Sequence, residues 1–285
     1  MHPPVLRVGC PIWANRAWLG NLFHEKTKAL LSAYASVFDT VEGNSTFYAL
    51  PSEPTVARWA EETPEAFRFC FKIPRGVSHD TMLEGNRPEL DRFFDRLAPL
   101  GPRLGPFMVQ LSNRFGPDRL DVLDRFLADL PTHLRYVVEV RHLAFFGAAE
   151  AELDALLAAR DVGRCHFDTT ALFAAKKKDP TTLHTQSRKP RVPARKSVIA
   201  EQPFLRFVGQ NDVRATSGWL DQWAETVSEW IRAGLEPYVF MHAPDDLYAP
   251  RLARTFHYLV RRRIPELPEH PPWPGERQEG QLGLL

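Results

Sequence analysis

The 285-residue chain is poor in cysteine, in net charge and in long apolar runs. Its three cysteines, Cys10, Cys70 and Cys165, are odd in number, far apart and each set in an apolar stretch, with no CxxC pair. This excludes a disulfide framework or a paired-thiolate metal site and describes buried, reduced thiols. The formal charge of +1 leaves the average composition pointing to neither nucleic acid nor a membrane. No run approaches the roughly 20 apolar residues of a membrane span, and the amino terminus lacks the apolar core of a signal peptide. A soluble, cytoplasmic protein is expected. GxxxxGKS/T, GxGxxG, HxH and HExxH patterns are also absent, which argues against a P-loop, a dinucleotide site and a helical zinc motif.

What is present is alternation. Eight short apolar runs rich in β-branched and aromatic residues occupy 5–10, 37–42, 67–73, 107–111, 136–140, 163–168, 204–208 and 238–241. Segments with helical periodicity separate most of them, at 26–34, 53–61, 89–97, 119–130, 149–159, 219–231 and 249–262. The alternation predicts an α/β fold, a (β/α)8 TIM-type barrel over residues 1–263. Between the sixth and seventh strands, residues 171–203 carry eight Lys or Arg against Asp179 and Glu201 and are broken by Pro180, Pro190 and Pro193. No single ordinary helix accommodates that pattern, so a long basic loop of net charge +6 is expected to replace most of the sixth helix. Its cations are Lys176, Lys177, Lys178, Arg188, Lys189, Arg191, Arg195 and Lys196. Residues 264–285 are dense in proline and read as an extended tether.

In a barrel of this type the carboxyl ends of the strands carry the chemistry. Side chains two apart on a strand share a face, which groups Glu42 with Asn44, Cys70 with Lys72, Met108 with Gln110, Glu139 with Arg141, His166 with Asp168, and Arg206 with Val208. Polar groups among apolar neighbours must be satisfied or used. Glu42, Glu139 and Asp168, with His79 just past the third strand, are the candidate acid–base groups. Asn44, Lys72, Gln110, Arg141 and Arg206 are candidate substrate-binding groups. The competing reading of the same residues is a structural layer in which three acids neutralise three bases. Glu42, His79, Glu139, Asp168 and His242 include donors for a divalent metal ion, although no spacing motif supports one.

These residues resemble the YecE-like proteins, a family of unknown function designated domain 72, over roughly residues 5–262. The likeness rests on Gly9-Cys10-Pro11-Ile12-Trp13, Trp18-Leu19-Gly20, the string from Glu42 to Tyr48 followed by Leu50-Pro51, and Trp59 with Phe67-Arg68-Phe69 and Lys72. It continues through His79, Gln110-Leu111, Phe115, Glu139-Val140-Arg141-His142, Asp168 and Arg206-Phe207 with Gly209. The resemblance implies a TIM-type barrel and no established reaction. The chain departs from the family at Ser112-Asn113, where a double proline is usual, at Val208, where a histidine precedes the glycine, and at Met241-His242, where an asparagine pair is common. A mechanism using the seventh-strand histidine would need His242 in its place. The last five residues, with Gln281, Leu282, Leu284 and Leu285, resemble the short peptide that docks bacterial replication and repair proteins on the sliding clamp.

Together these features predict an enzyme that takes a phosphate-bearing substrate at the rim, with nucleic acid as substrate and the clamp as partner. A non-catalytic accessory module binding DNA or the clamp, and an enzyme of small phosphosugars or carbohydrates, are the alternatives.

Overall fold

The computed structural model describes residues 3–176 and 179–276. Lys177, Lys178 and the clamp-like Gln281, Leu282, Leu284 and Leu285 lie outside the described residues. The strands are β1 Arg7–Gly9, β2 Thr40–Gly43, β3 Arg68–Phe71, β4 Phe107–Gln110, β5 Tyr136–Glu139, β6 Gly163–Asp168, β7 Phe204–Val208 and β8 Tyr238–His242. Each falls within or overlaps one of the apolar runs read from the sequence. The α-helices are α1 Leu30–Ala35, α2 Glu53–Glu61, α3 Arg87–Leu97, α4 Leu120–Ala128, α5 Glu150–Ala159, α6 Thr170–Phe173, α7 Pro180–Arg188, α8 Val213–Arg232 and α9 Ala249–Arg261. Among the described residues no helix is long and apolar enough to cross a membrane.

The fold is α/β, with its paired strands parallel and its sheet curled about an inner core. Six strands form one ladder in the order β1-β8-β7-β6-β5-β4, and β2 pairs with β3 separately. Isolated hydrogen bonds cross the two seams: Glu42 N–H to the Cys10 carbonyl (3.1 Å) between β1 and β2, and Ile73 N–H to the Met108 carbonyl (3.1 Å) between β3 and β4. The two seams are therefore crossed by a few contacts rather than by continuous ladders. At the β1/β2 seam the backbones approach so closely that a Cβ on Gly9 would lie 2.1 Å from the Thr40 carbonyl oxygen. Tyr34 of α1 stitches the same seam, its buried hydroxyl accepting from Cys10 N–H (2.7 Å) and donating to the Thr40 carbonyl (3.0 Å).

Strands covered on both faces read as continuous apolar runs. Inside the curl, Cys70, Met108, Val137, Cys165, Phe204 and Phe240 fill a core beneath the polar rim. Outside it, helices apply apolar stripes to the sheet, as in α9, where Leu252, Ala253, Phe256 and Val260 are buried at helical spacing. All three cysteines are free and buried.

Two expectations change. Residues 171–203 are not a continuous loop, because they contain most of α6 and all of α7. Pro180 does not prevent α7: it occupies the first turn, where its missing N–H costs nothing, and the Asp179 carboxylate caps the Thr182 N–H (3.0 Å). Nor are residues 264–276 a free tether. Ile264, Leu267 and Trp273 are buried, Gly275 N–H donates to the Leu22 carbonyl (3.2 Å), and the Arg254 guanidinium of α9 lies 3.9 Å from the centre of the Trp273 ring.

Replacing Tyr34 with Phe strands a buried N–H and a buried carbonyl at the seam, and a loss of about 1–3 kcal/mol is expected in urea unfolding. Trp273→Ala is expected to lose about 3 kcal/mol in the same assay. A free tether would lose less than about 0.5 kcal/mol.

Candidate active site

The carboxyl ends of the strands converge on one guanidinium. Arg206, central in β7 and 1% exposed, donates through Nε and Nη2 to Glu42 Oε2 (2.7 Å) and Oε1 (2.8 Å) as a fork. Its Nη1 donates to Glu139 Oε2. Both carboxylates are fully buried. Each accepts further bonds: Glu42 Oε2 from His242 Nε2 (3.1 Å), and Glu139 Oε1 from Gln110 Nε2 (2.7 Å) and Arg141 Nε (2.9 Å). Lys72 Nζ stands 3.7 Å from Glu42 Oε1, outside hydrogen-bond reach.

Burial pushes both carboxyl pKa values upward, but the cations win. Arg206, His242 and Lys72 hold Glu42 well below the usual carboxylate range, and Arg206, Arg141 and Lys72 hold Glu139 at about 2. The two glutamates are therefore ionised and saturated, and they act as anchors for cations. Burial and then Arg206 draw the Lys72 ammonium down to about 7, against the upward pull of Glu42 and Glu139. Burial, Arg141 and Arg75 bring His79 to about 4, so it is neutral at pH 7. Ser78 Oγ lies 3.1 Å from the Pro74 carbonyl and 2.9 Å from His79 Nδ1; with its hydroxyl donating to the carbonyl, His79 Nδ1–H donates to Ser78 Oγ and Nε2 keeps the lone pair. His79 sits in a π-helical turn, Gly76–Asp80, a distortion that often marks functional positions.

Above the anchors lies a cavity of about 500 Å3. Lys72, Arg75, Arg141, Arg188, Lys189 and Arg206 line it, and among the described residues Asp246 is the only acid on its walls. Asn44, which donates to the Pro11 carbonyl (2.9 Å), joins His79, Gln110 and His242 in the lining. Phe47 and the 71%-exposed Tyr48 form part of the mouth. The α7 segment brings Arg188 and Lys189 in from the opposite side. The Phe167 ring supports three cations, lying 5.2 Å from Arg206, 5.8 Å from Lys189 and 5.9 Å from Arg141.

Most of the candidate residues are brought together here. Asp168 is not. The β6/β7 register pairs Phe167 with Arg206, so Phe167 faces inward and its neighbours His166 and Asp168 face the helices. Asp168 caps α6 through Oδ1, which accepts the backbone N–H (2.8 Å) and hydroxyl (2.7 Å) of Thr170, and its Oδ2 accepts the Trp223 indole N–H (2.6 Å). The expected basic loop is also divided. Arg195 pairs with Asp154 (3.0 Å) and Glu150, Lys196 lies over the Trp223 ring and Arg191 over the Phe173 ring, and Lys176 is exposed away from the cavity lining. Among the described Lys and Arg residues of this segment, Arg188 and Lys189 alone line the cavity, with His184 and Thr185 of α7 beside them.

The donor set does not fit a divalent metal. Among the described residues no three His, Cys, Asp or Glu come together, and a cation near Glu42 or Glu139 would meet Arg206, Lys72 and Arg141. His242 fills the position beside Val208, its register partner, at the level of Glu42. Phe167, Arg75 and Asp246 were missed from the sequence. Asp246 follows the last strand, the position that should have flagged it, and burial pushes its carboxyl up to about 6.

Arg206→Met leaves two buried carboxylates without their guanidinium, and a loss of about 3–5 kcal/mol is expected at pH 7. Such carboxylates have raised folded-state pKa values, so their penalty is relieved as pH falls through those values. The difference from wild type should shrink between pH 7 and pH 4 in urea unfolding.

The family model described as "Protein of unknown function DUF72" matches residues 7–277. UPF0759 protein YecE of Escherichia coli K12 is 36% identical over 265 residues, covering 92% of this chain and 95% of that protein. Two solved DUF72 proteins share the fold. The one from Enterococcus faecalis has a TM-score of 0.68 at 17% identity, covering 94% of this chain and 98% of its own. The one from Thermotoga maritima has a TM-score of 0.69 at 22% identity, covering 92% and 99%. With the family model matching residues 7–277 and a relative 36% identical over 92% of the chain, the chain belongs to the DUF72 family of YecE-like proteins.

Proposed function

We propose that the cavity binds a small phosphate-bearing substrate and acts on it as an enzyme. The observation that carries this reading is the charge of the walls, six Lys or Arg against the single Asp246. Three of those cations, Lys72, Arg141 and Arg206, stand on the floor beside the two ionised glutamates, so they are pre-positioned for an anion rather than recruited by it. A volume of about 500 Å3 suits a phosphate with a short carbon skeleton. Glu42 and Glu139 serve as positioning groups, while Lys72, drawn down by burial to about 7, Lys189, drawn down by burial to about 8, and Asp246, pushed up by burial to about 6, are the cavity groups able to exchange a proton near neutral pH. A nucleic acid would enter as one extruded nucleotide, because the described cations of 171–203 are divided between the cavity, the acids of α5 and the ring of Trp223.

Calorimetric titration with ribose 5-phosphate, inorganic phosphate and ribose tests the reading. Both phosphates should bind and ribose should not. Arg141→Ala and Lys189→Ala should each weaken ribose 5-phosphate by about tenfold or more, the worth of one charge-assisted contact. Affinity for ribose equal to that for its phosphate removes the reading. Tighter, salt-sensitive binding of single-stranded DNA would favour the nucleic-acid alternative.

A further inference from the structure

We infer that Lys72 is a carbonyl-reactive nucleophile and that the phosphate-bearing substrate is an aldehyde or ketone held by this amine as an imine. The inference rests on the anion-binding reading of the same cavity and adds the reacting group. Its ground is the contrast between Lys72 and its neighbours. Arg206, Arg141, Gln110 and His242 all have hydrogen bonds to the buried glutamates. Lys72 Nζ has none among the described residues, and its ion-pair partner Glu42, 3.7 Å away, is already held by the Arg206 fork. The side chain is 10% exposed and lines the cavity floor. Thr46 Oγ1 donates to the Lys72 carbonyl (2.9 Å) and fixes the backbone beneath it. The ammonium lies 5.7 Å from the Phe47 ring centre, and the same ring packs edge-to-face on His79 at 5.0 Å. Lys72 and the neutral His79 thus share the Phe47 ring, and His79 lies near enough for the Lys72 charge to lower its pKa.

The groups that act on Lys72 are Arg206 of β7 and Lys189 after α7, which disfavour its proton, and Glu42 of β2 and Glu139 of β5, which favour it. His79 of the π-helical turn is neutral. With burial added, a large fraction of the amine is unprotonated at pH 7. In the reaction the Nζ lone pair forms the C–N bond as the carbonyl π pair moves to oxygen. His79 Nε2 takes a proton from the nitrogen and passes it to that oxygen. One further proton from solvent carries the hydroxyl away as water, leaving a protonated imine. No oxidant or reductant enters.

The test is reductive trapping on the full chain, with glyceraldehyde 3-phosphate or glyceraldehyde and cyanoborohydride, read by peptide mass spectrometry. Lys72 should be modified at least tenfold faster than the exposed Lys26 and Lys28, and the phosphorylated aldehyde should react at least tenfold faster than glyceraldehyde. Excess inorganic phosphate should suppress the reaction at Lys72 alone. The rate at Lys72 should rise with pH through about 7 and level off. Lys72→Arg, which keeps the charge, should lose the fast adduct while still binding phosphate. If Lys72 shows no preference with either aldehyde although phosphate binds, the imine is overturned and the anion site stands. If both aldehydes modify Lys72 selectively and equally fast, the nucleophile stands and the phosphate requirement is overturned.

Discussion

The two-pronged grip of Arg206 on Glu42 and Glu139 is the interaction on which the rest depends. Two carboxylates without exposed surface are tolerable only as partners of fixed cations, and one guanidinium satisfies both because its planar fork presents donors in two directions. Having spent their lone pairs on that bond and on His242, Gln110 and Arg141, the glutamates hold those side chains in turn. The ion-paired layer and the site are therefore one object. The layer fixes the floor, and the positive charge left above it defines what the cavity attracts.

That surplus depends on the segment between β6 and β7. A nine-residue helix starting at Pro180 carries Arg188 to the cavity and leaves Lys189 just past its end over the Phe167 ring. The cations that follow have structural tasks, Arg195 with the acids of α5 and Lys196 on an indole of α8. The described cations of this stretch thus serve several surfaces and not one.

Much of this was legible before any coordinates. All eight strands stood out because strands covered on both faces are apolar throughout, and Glu42, Lys72, Gln110, Glu139, Arg141 and Arg206 stood out because charge inside such runs is costly. The same uniformity hid the facing of β6. In Gly163–Asp168 both faces are buried, so alternation carries no signal, and the inward residue turned out to be Phe167 rather than the more conspicuous Asp168. Proline density misled twice. Pro180 begins a helix, and the prolines after 264 space out buried Leu267 and Trp273. At Pro180 the deciding signal was local, an Asp179 cap with proline in the first turn, whereas after 264 long-range packing, which local pattern does not encode, decided the outcome.

The separate pairing of β2 with β3 has a further meaning. That pair and the turns after it supply Glu42, Asn44, Lys72 and His79, while the six-strand ladder and its loops supply Gln110, Glu139, Arg141, Arg206 and His242. The cavity is thus an interface between two unequal pieces of one chain, joined by Tyr34, a few backbone bonds and the Glu42–Arg206 fork. Neither piece holds both the uncommitted amine and the fixed arginines. The docking of a two-stranded unit is what brings those groups within reach of one small molecule.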